Sequence, residues 1–216
     1  MTARRIALLG AESTGKTRLS EDLAAHLRGR GLHAVAVPEA LRAWCARAGR
    51  APRPEEQLAI AQAQERQVDD AAAAGAQFVV ADTTALMVLA YSGMLFEDDP
   101  LYRFAFDRQR GYDATLVTGL DLPWTPDGLQ RDAAQPREPV DALVRTLLQR
   151  AGVPFQVVYG SGPQRLAGAV AALAGILPPE AADRGQRERE TGPWIWSCEK
   201  CSDPECEHRL FSRLRS

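Results

Sequence analysis

The 216-residue chain lacks a basic surplus: its formal net charge is −2 and its pI about 6.0. Nucleic-acid binders carry clustered excess Lys and Arg, so the balance argues against such a partner, and acidic ligands must be held by local arginines. No apolar run approaches the roughly 20 residues of a membrane span, so no membrane association is expected. Met1-Thr2-Ala3-Arg4-Arg5 has two basic residues, but the apolar segment behind it is short. It is expected to be a first strand rather than a signal peptide, which puts the protein in the cytoplasm. The four cysteines are unevenly placed, Cys45 alone and three crowded in the C-terminal tail, a cluster that in a reducing cytosol reads as metal ligands before disulfides. Internal repeats and low-complexity tracts are absent as well.

What is present is concentrated near the N-terminus. Gly10-Ala11-Glu12-Ser13-Thr14-Gly15-Lys16-Thr17 follows the apolar run Ile6-Ala7-Leu8-Leu9 and precedes a helical pattern through Leu19, Leu23 and Leu27. This is the strand, G-x-x-x-x-G-K-[ST] loop and helix of a P-loop. Its glycines let successive N–H groups converge on phosphate oxygens, and the helix N-terminus favours an anion. The loop residues Gly10, Glu12, Ser13, Thr14 and Gly15 are thus expected to cradle ATP. Lys16 is expected to reach the β- and γ-phosphates, and Thr17 to offer its hydroxyl to Mg²⁺.

Short, nearly continuous apolar runs at 6–9, 34–37, 78–81, 115–117 and 155–159 read as strands covered on both faces. Helical patterns at 17–27, 54–74, 86–91, 140–151 and 164–174 lie between or after them. The alternation predicts an α/β P-loop NTPase fold of five parallel strands with helices on both faces. Residues 1–177 are expected to form this domain and 178–193 a charged linker. Residues 194–216 form a short Cys-rich tail.

A P-loop site needs a second carboxylate for Mg²⁺ at a neighbouring strand end. Asp82, ending Phe78-Val79-Val80-Ala81-Asp82, is placed for that role, or for capping the following helix. Thr83 follows it toward the substrate. Glu39 ends the second strand, where a carboxylate can accept the proton of a reacting hydroxyl or orient a sugar. Arg42 lies three residues on and can line the same wall. After the fourth strand, a long segment without apolar pattern carries Asp121, Trp124, Asp127, Arg131 and Arg137. Such loops are often lids, and Arg131 or Arg137 can neutralise charge building on a transferring phosphoryl group. Gly160-Ser161-Gly162-Pro163 lies where a loop can wrap a nucleotide base. It is also an ordinary strand-to-helix turn. Cys198-x₂-Cys201-x₄-Cys206-x-His208 in the tail offers three thiolates and an imidazole, a set expected to hold structural Zn²⁺. Cys45 is expected to be a small buried hydrophobe.

Gly-Ala-Glu-Ser-Thr-Gly-Lys-Thr, Val-Pro-Glu-Ala-Leu-Arg, Val-Ala-Asp-Thr and Asp-Leu-Pro-Trp-Thr-Pro-Asp-Gly-Leu together resemble the NadR-type nicotinamide riboside kinases, also described as NadR-like AAA ATPase domains. The resemblance spans about residues 4 to 175. It implies ATP- and Mg²⁺-dependent phosphorylation of the ribose 5′-hydroxyl of nicotinamide riboside. Lys16 and Thr17 would then serve the triphosphate and Mg²⁺, with Glu39 and Asp82 at the nucleoside and metal centre. Asp121, Trp124, Asp127 and Arg131 would belong to the lid. Three departures stand out. The expected Gly-Leu-Arg is Gly-Leu-Gln-Arg here, which displaces the lid arginine by one residue. Bifunctional members carry an adenylyltransferase domain before the kinase, whereas this chain opens at the P-loop strand. The Cys-rich tail is outside the family pattern. The alternative expectation is a nucleotide-binding regulatory module whose zinc tail engages a protein partner. The lack of an Asn-Lys-x-Asp run, which reads guanine, favours ATP over GTP.

Overall fold

The computed structural model describes residues 2–92, 100–124 and 137–179. All of these except Pro179 belong to a compact unit, Met1–Pro178. Five strands build its sheet: β1 (Arg4–Leu9), β2 (Ala34–Val37), β3 (Phe78–Asp82), β4 (Ala114–Thr118) and β5 (Gln156–Val158). Their order is β2-β3-β1-β4-β5, every pairing parallel. The helices are α1 (Lys16–Gly29), α2 (Ala40–Ala48), α3 (Pro54–Ala73), α4 (Ala85–Ser92), α5 (Pro100–Arg110), α6 (Arg137–Ala151) and α7 (Gly162–Ala172).

Strand periodicity explains why helices cover both faces. In β1, Ile6 and Leu8 join Leu19, Leu23 and Leu27 of α1 and Ala169 of α7 in one apolar cluster. Ala7 packs instead with Val37, Val79, Ala81 and Val68 of α3. Leu9 meets Leu86 and Leu89 of α4, Leu101 and Phe106 of α5, and Leu147 and Leu148 of α6. Each fully buried leucine contributes about 2 kcal/mol, against about 1 kcal/mol net for a typical hydrogen bond. The apolar layers therefore hold the fold, and polar groups fix its local geometry.

The parallel α/β architecture agrees with the sequence reading; the differences are local. Two helices are additional to the five periodic segments. In α2 the apolar stripe is short: Leu41 is buried, and Trp44 and Cys45 pack partly buried against the same core. It stops at Gly49, whose φ of 68° supplies the left-handed C-terminal cap. In α5 Leu101, Tyr102, Ala105, Phe106 and Gln109 form one buried face, with the charged residues on the other. Strand β5 is shorter than the apolar run, and Tyr159 is 58% exposed. Cys45 is half-buried rather than buried; burial, then the charge of Glu39, raises its thiol pKa.

A buried carboxylate fixes the turn between β3 and α4. Glu65 of α3 accepts the Ala85 N–H (2.9 Å), the Tyr112 hydroxyl (3.1 Å) and Arg108 Nε (3.2 Å). Burial and then Glu65 push the Tyr112 phenol well above its ordinary pKa, so it stays the donor. Removing Glu65 would leave the Ala85 N–H and the Tyr112 hydroxyl buried without their acceptor. Glu65→Ala is expected to lower stability by about 3 kcal/mol, measured as a shifted urea midpoint at unchanged slope.

Candidate active site

β1 lies between β3 and β4, so the chain departs to opposite sides of the strand that feeds Gly10–Thr17. Ligands of open α/β sheets bind in the crevice at such a switch point, beyond the strand C-termini. Gly10, Ser13 and Gly15 have φ of 142°, 53° and 77°. Gly10 is also required for space: a Cβ there would stand 2.3 Å from Thr118 Oγ1. Thr118, at the end of β4, is hydrogen-bonded to Thr14, with 2.7 Å between the hydroxyl oxygens. Thr14 Oγ1 and Lys16 Nζ both donate to the Ala11 carbonyl at 2.7 Å. Two donors on one carbonyl close the loop upon itself and hold its shape.

Asp82 and Thr17 meet. Thr17 Oγ1 donates to Asp82 Oδ2 at 2.5 Å, a contact set by the β1–β3 register, which pairs Leu8 with Asp82. Asp82 Oδ1 is buried with no hydrogen-bond partner among the described residues. A carboxylate oxygen left in this way beside a hydroxyl, at the foot of the P-loop, fits the all-oxygen preference of Mg²⁺. Capping of α4 belongs to Thr84 rather than Asp82: Thr84 Oγ1 accepts the Leu86 N–H (3.2 Å) and donates to Gln109 Oε1 (2.6 Å). Thr83 is buried with φ of 74°, its N–H on the Leu8 carbonyl at 3.1 Å. A left-handed β-branched residue is costly, and such strain concentrates at functional turns.

Glu39 follows β2 and precedes α2, one strand beyond Asp82 on the same sheet edge. Its backbone is held by the buried Gln64 of α3, which accepts the Ala40 N–H (2.7 Å) and donates to the Pro38 carbonyl (3.3 Å). Arg42 stands 3.4 Å from Glu39 and is half-exposed.

The loop after β4 is tied to the P-loop by an arginine. Asp121 accepts the Gly160 N–H at 2.6 Å and Arg165 Nη2 at 2.7 Å. Arg165 also donates to the Gly160 carbonyl (2.7 Å) and to the Thr14 carbonyl within the P-loop. Arg137 opens α6 with its guanidinium on the carbonyls of Leu122 (2.8 Å) and Leu120 (3.5 Å), which joins that helix to the same loop. Trp124 is 36% exposed. Asp127, Arg131, Cys198, Cys201, Cys206 and His208 lie outside the described residues. Among the described residues no group of three or more His, Cys, Asp or Glu is placed to hold a metal ion, and no helix is long and apolar enough to cross a membrane.

A family model described as an AAA domain matches residues 5–165. The chain belongs to the AAA domain family. No curated protein sequence matches it. Among solved structures, this AAA domain is similar to NadR protein in complex with NAD and AMP-PNP: 16% identity, TM-score 0.59, covering 81% of this chain and 49% of that chain. The same identity and coverage, with a TM-score of 0.60, hold for NadR protein in complex with NR. Thymidylate kinase from Ehrlichia chaffeensis is similar at 13% identity and a TM-score of 0.54, covering 82% of this chain and 100% of that chain. The chain spans about half the length of the NadR chains it matches. At these identities the likeness is one of fold alone.

Within this AAA domain the structure brings Lys16, Thr17 and Asp82 together, with Glu39 on the adjoining strand end. It ties Asp121 to Gly160 and Arg165, and Arg137 to carbonyls of the loop after β4. Four supporting residues were not apparent in the sequence: Gln64, Glu65, Thr118 and Arg165. Each acts on a partner distant along the chain, so only the strand order reveals it. If Asp82 is a metal ligand, Asp82→Asn should cut the Mg²⁺-dependent gain in ATP affinity about tenfold. Binding of ATP in excess chelator should change little; calorimetric titration with and without Mg²⁺ reads both.

Proposed function

We propose that the chain is an ATP-dependent kinase that transfers the γ-phosphoryl group to a nucleoside hydroxyl, with nicotinamide riboside as acceptor and nicotinamide mononucleotide as product. The observation that carries the kinase reading is the Thr17–Asp82 pair beside Lys16, its second carboxylate oxygen unpartnered among the described residues, at the sheet's switch point. The acceptor is supported by the motif resemblance and by the NadR fold likeness.

The proposed roles are these. The loop N–H groups and Lys16 hold the phosphates, which lowers the cost of charge building on the bridging oxygen. Thr17 and Asp82 would hold Mg²⁺, which when bound neutralises negative charge shared by the β- and γ-phosphates. Glu39 accepts the proton of the acceptor hydroxyl. The bond from the γ-phosphorus to the bridging oxygen breaks, and the bond to the acceptor oxygen forms in line. Glu39 then releases its proton to water. Asp127 and Arg131 are proposed to act from the lid, Arg131 on the transferring phosphoryl group. Arg42, Thr83 and Trp124 are proposed on the acceptor side.

Purified chain with ATP, Mg²⁺ and nicotinamide riboside is expected to yield ADP and the mononucleotide in equal amounts by chromatography. Turnover on another nucleoside alone would overturn the acceptor, and none on any nucleoside the kinase reading. Glu39→Gln should lower kcat by about 10²–10⁴-fold at unchanged ATP affinity.

The Cys198, Cys201, Cys206 and His208 set carries a separate proposal of structural zinc, based on ligand type and spacing. Metal analysis of the purified chain should find about one zinc per chain, lost in Cys198→Ser/Cys201→Ser; a metal-free wild type overturns it.

A further inference from the structure

Arg165 is 3% exposed, yet its partners are polar groups of three separate loops. Its guanidinium donates to the Thr14 carbonyl in the P-loop, to the Gly160 carbonyl after β5, and to Asp121 after β4. Asp121 uses its other oxygen on the Gly160 N–H, so the three loops share one hydrogen-bonded node. Gly15 makes the approach possible: a Cβ there would stand 3.3 Å from Arg165 Nη1 and 3.1 Å from Leu122 Cδ1.

The Thr14–Gly15 peptide is trans and planar, so its carbonyl and its N–H point in opposite directions. A donor that fixes the Thr14 carbonyl on the α7 side thereby turns the Gly15 N–H the other way. That N–H leads directly into the first turn of α1, whose N–H groups have no intrahelical partner and can take an anion. We propose that Arg165 is a positioning residue for the phosphate loop, held by Asp121, which sets the Thr14–Gly15 peptide for the β-phosphate of a nucleoside di- or triphosphate. This rests on reading Gly10–Thr17 as the phosphate site. It adds that the site's affinity is set by α7 and by the loop after β4, beyond the P-loop motif itself. A planar five-donor fork suits three acceptors at once; a lysine keeps the charge and loses the geometry.

The test is equilibrium binding of ADP and AMP to the full chain carrying Arg165→Lys, Asp121→Ala or both, with folding checked by circular dichroism. Arg165→Lys should weaken ADP at least about tenfold and AMP much less, so the ADP-to-AMP affinity ratio falls. A general loss of stability would not move that ratio. Asp121→Ala should lower it in the same direction, and the double variant should be no worse than Arg165→Lys alone, because both act through one node. A folded Arg165→Lys chain with an unchanged ratio overturns the proposal, as does an additive double variant. If Arg165→Lys does not fold, Asp121→Ala, whose site is partly exposed, decides: an unchanged ratio there overturns it. A wild-type chain that binds no ADP overturns the phosphate-site reading itself, whereas tight wild-type binding with unaffected variants overturns only the role of Arg165.

Discussion

Parallel pairing of β1 with β3 on one side and β4 on the other sets the position of every group at the site. The β1–β3 register puts Leu8 opposite Asp82, and the β1–β4 register puts Leu9 opposite Val117. Asp82 therefore arrives beside Thr17, and Thr118 arrives beneath Gly10 and Thr14. Side chains alternate along a strand, so a slip of one residue in either pairing would turn these groups to the wrong face. The register is held by residues with no chemistry of their own: Ile6, Ala7, Leu8 and Leu9 are fully buried and packed on both faces.

On that apolar frame, polar groups act as local stops. Gln64 and Glu65, consecutive on α3, reach different turns: Gln64 holds Pro38 and Ala40 beside Glu39, and Glu65 holds Ala85 beyond Asp82. One helix thus sets both strand-end carboxylates of the proposed site through backbone contacts. The arrangement suits a reaction in which a fraction of an ångström between donor and acceptor changes the rate.

Much of this could be read from the residues in order. The P-loop is local: its glycines, lysine and threonine act within eight positions, and the strand and helix around it have clear periodicity. The places of Asp82 and Glu39 at strand ends were legible because the apolar runs stop there. What escaped was long-range. Arg165 sits in the second turn of a helix after a Gly-Pro turn and reads as a solvent-facing charge; its burial depends on the P-loop and the β4 loop meeting above it. Helix α2 was hidden because its stripe of Leu41, Trp44 and Cys45 is short and only partly buried, whereas α5 carries a regular stripe, Leu101, Tyr102, Ala105 and Phe106, that was left unread. The loop beyond Trp124 and the Cys-rich tail, where the sequence reading put Asp127, Arg131 and the zinc ligands, lie outside the described residues.

The sheet has a further property that follows from its strand lengths. Its six-residue strand is central, and its edges are the four-residue β2 and the three-residue β5. Pro38 follows one edge strand and Pro154 shortly precedes the other, so neither edge extends with free amide donors at those positions. Another chain that tried to add a strand would find only a few backbone groups to pair with, too few to offset the ordering of its own segment. A parallel sheet that keeps its long strands inside is thereby guarded against growing sideways, and the same economy leaves the C-terminal rim, where the loops gather, as the face on which a small molecule can be held.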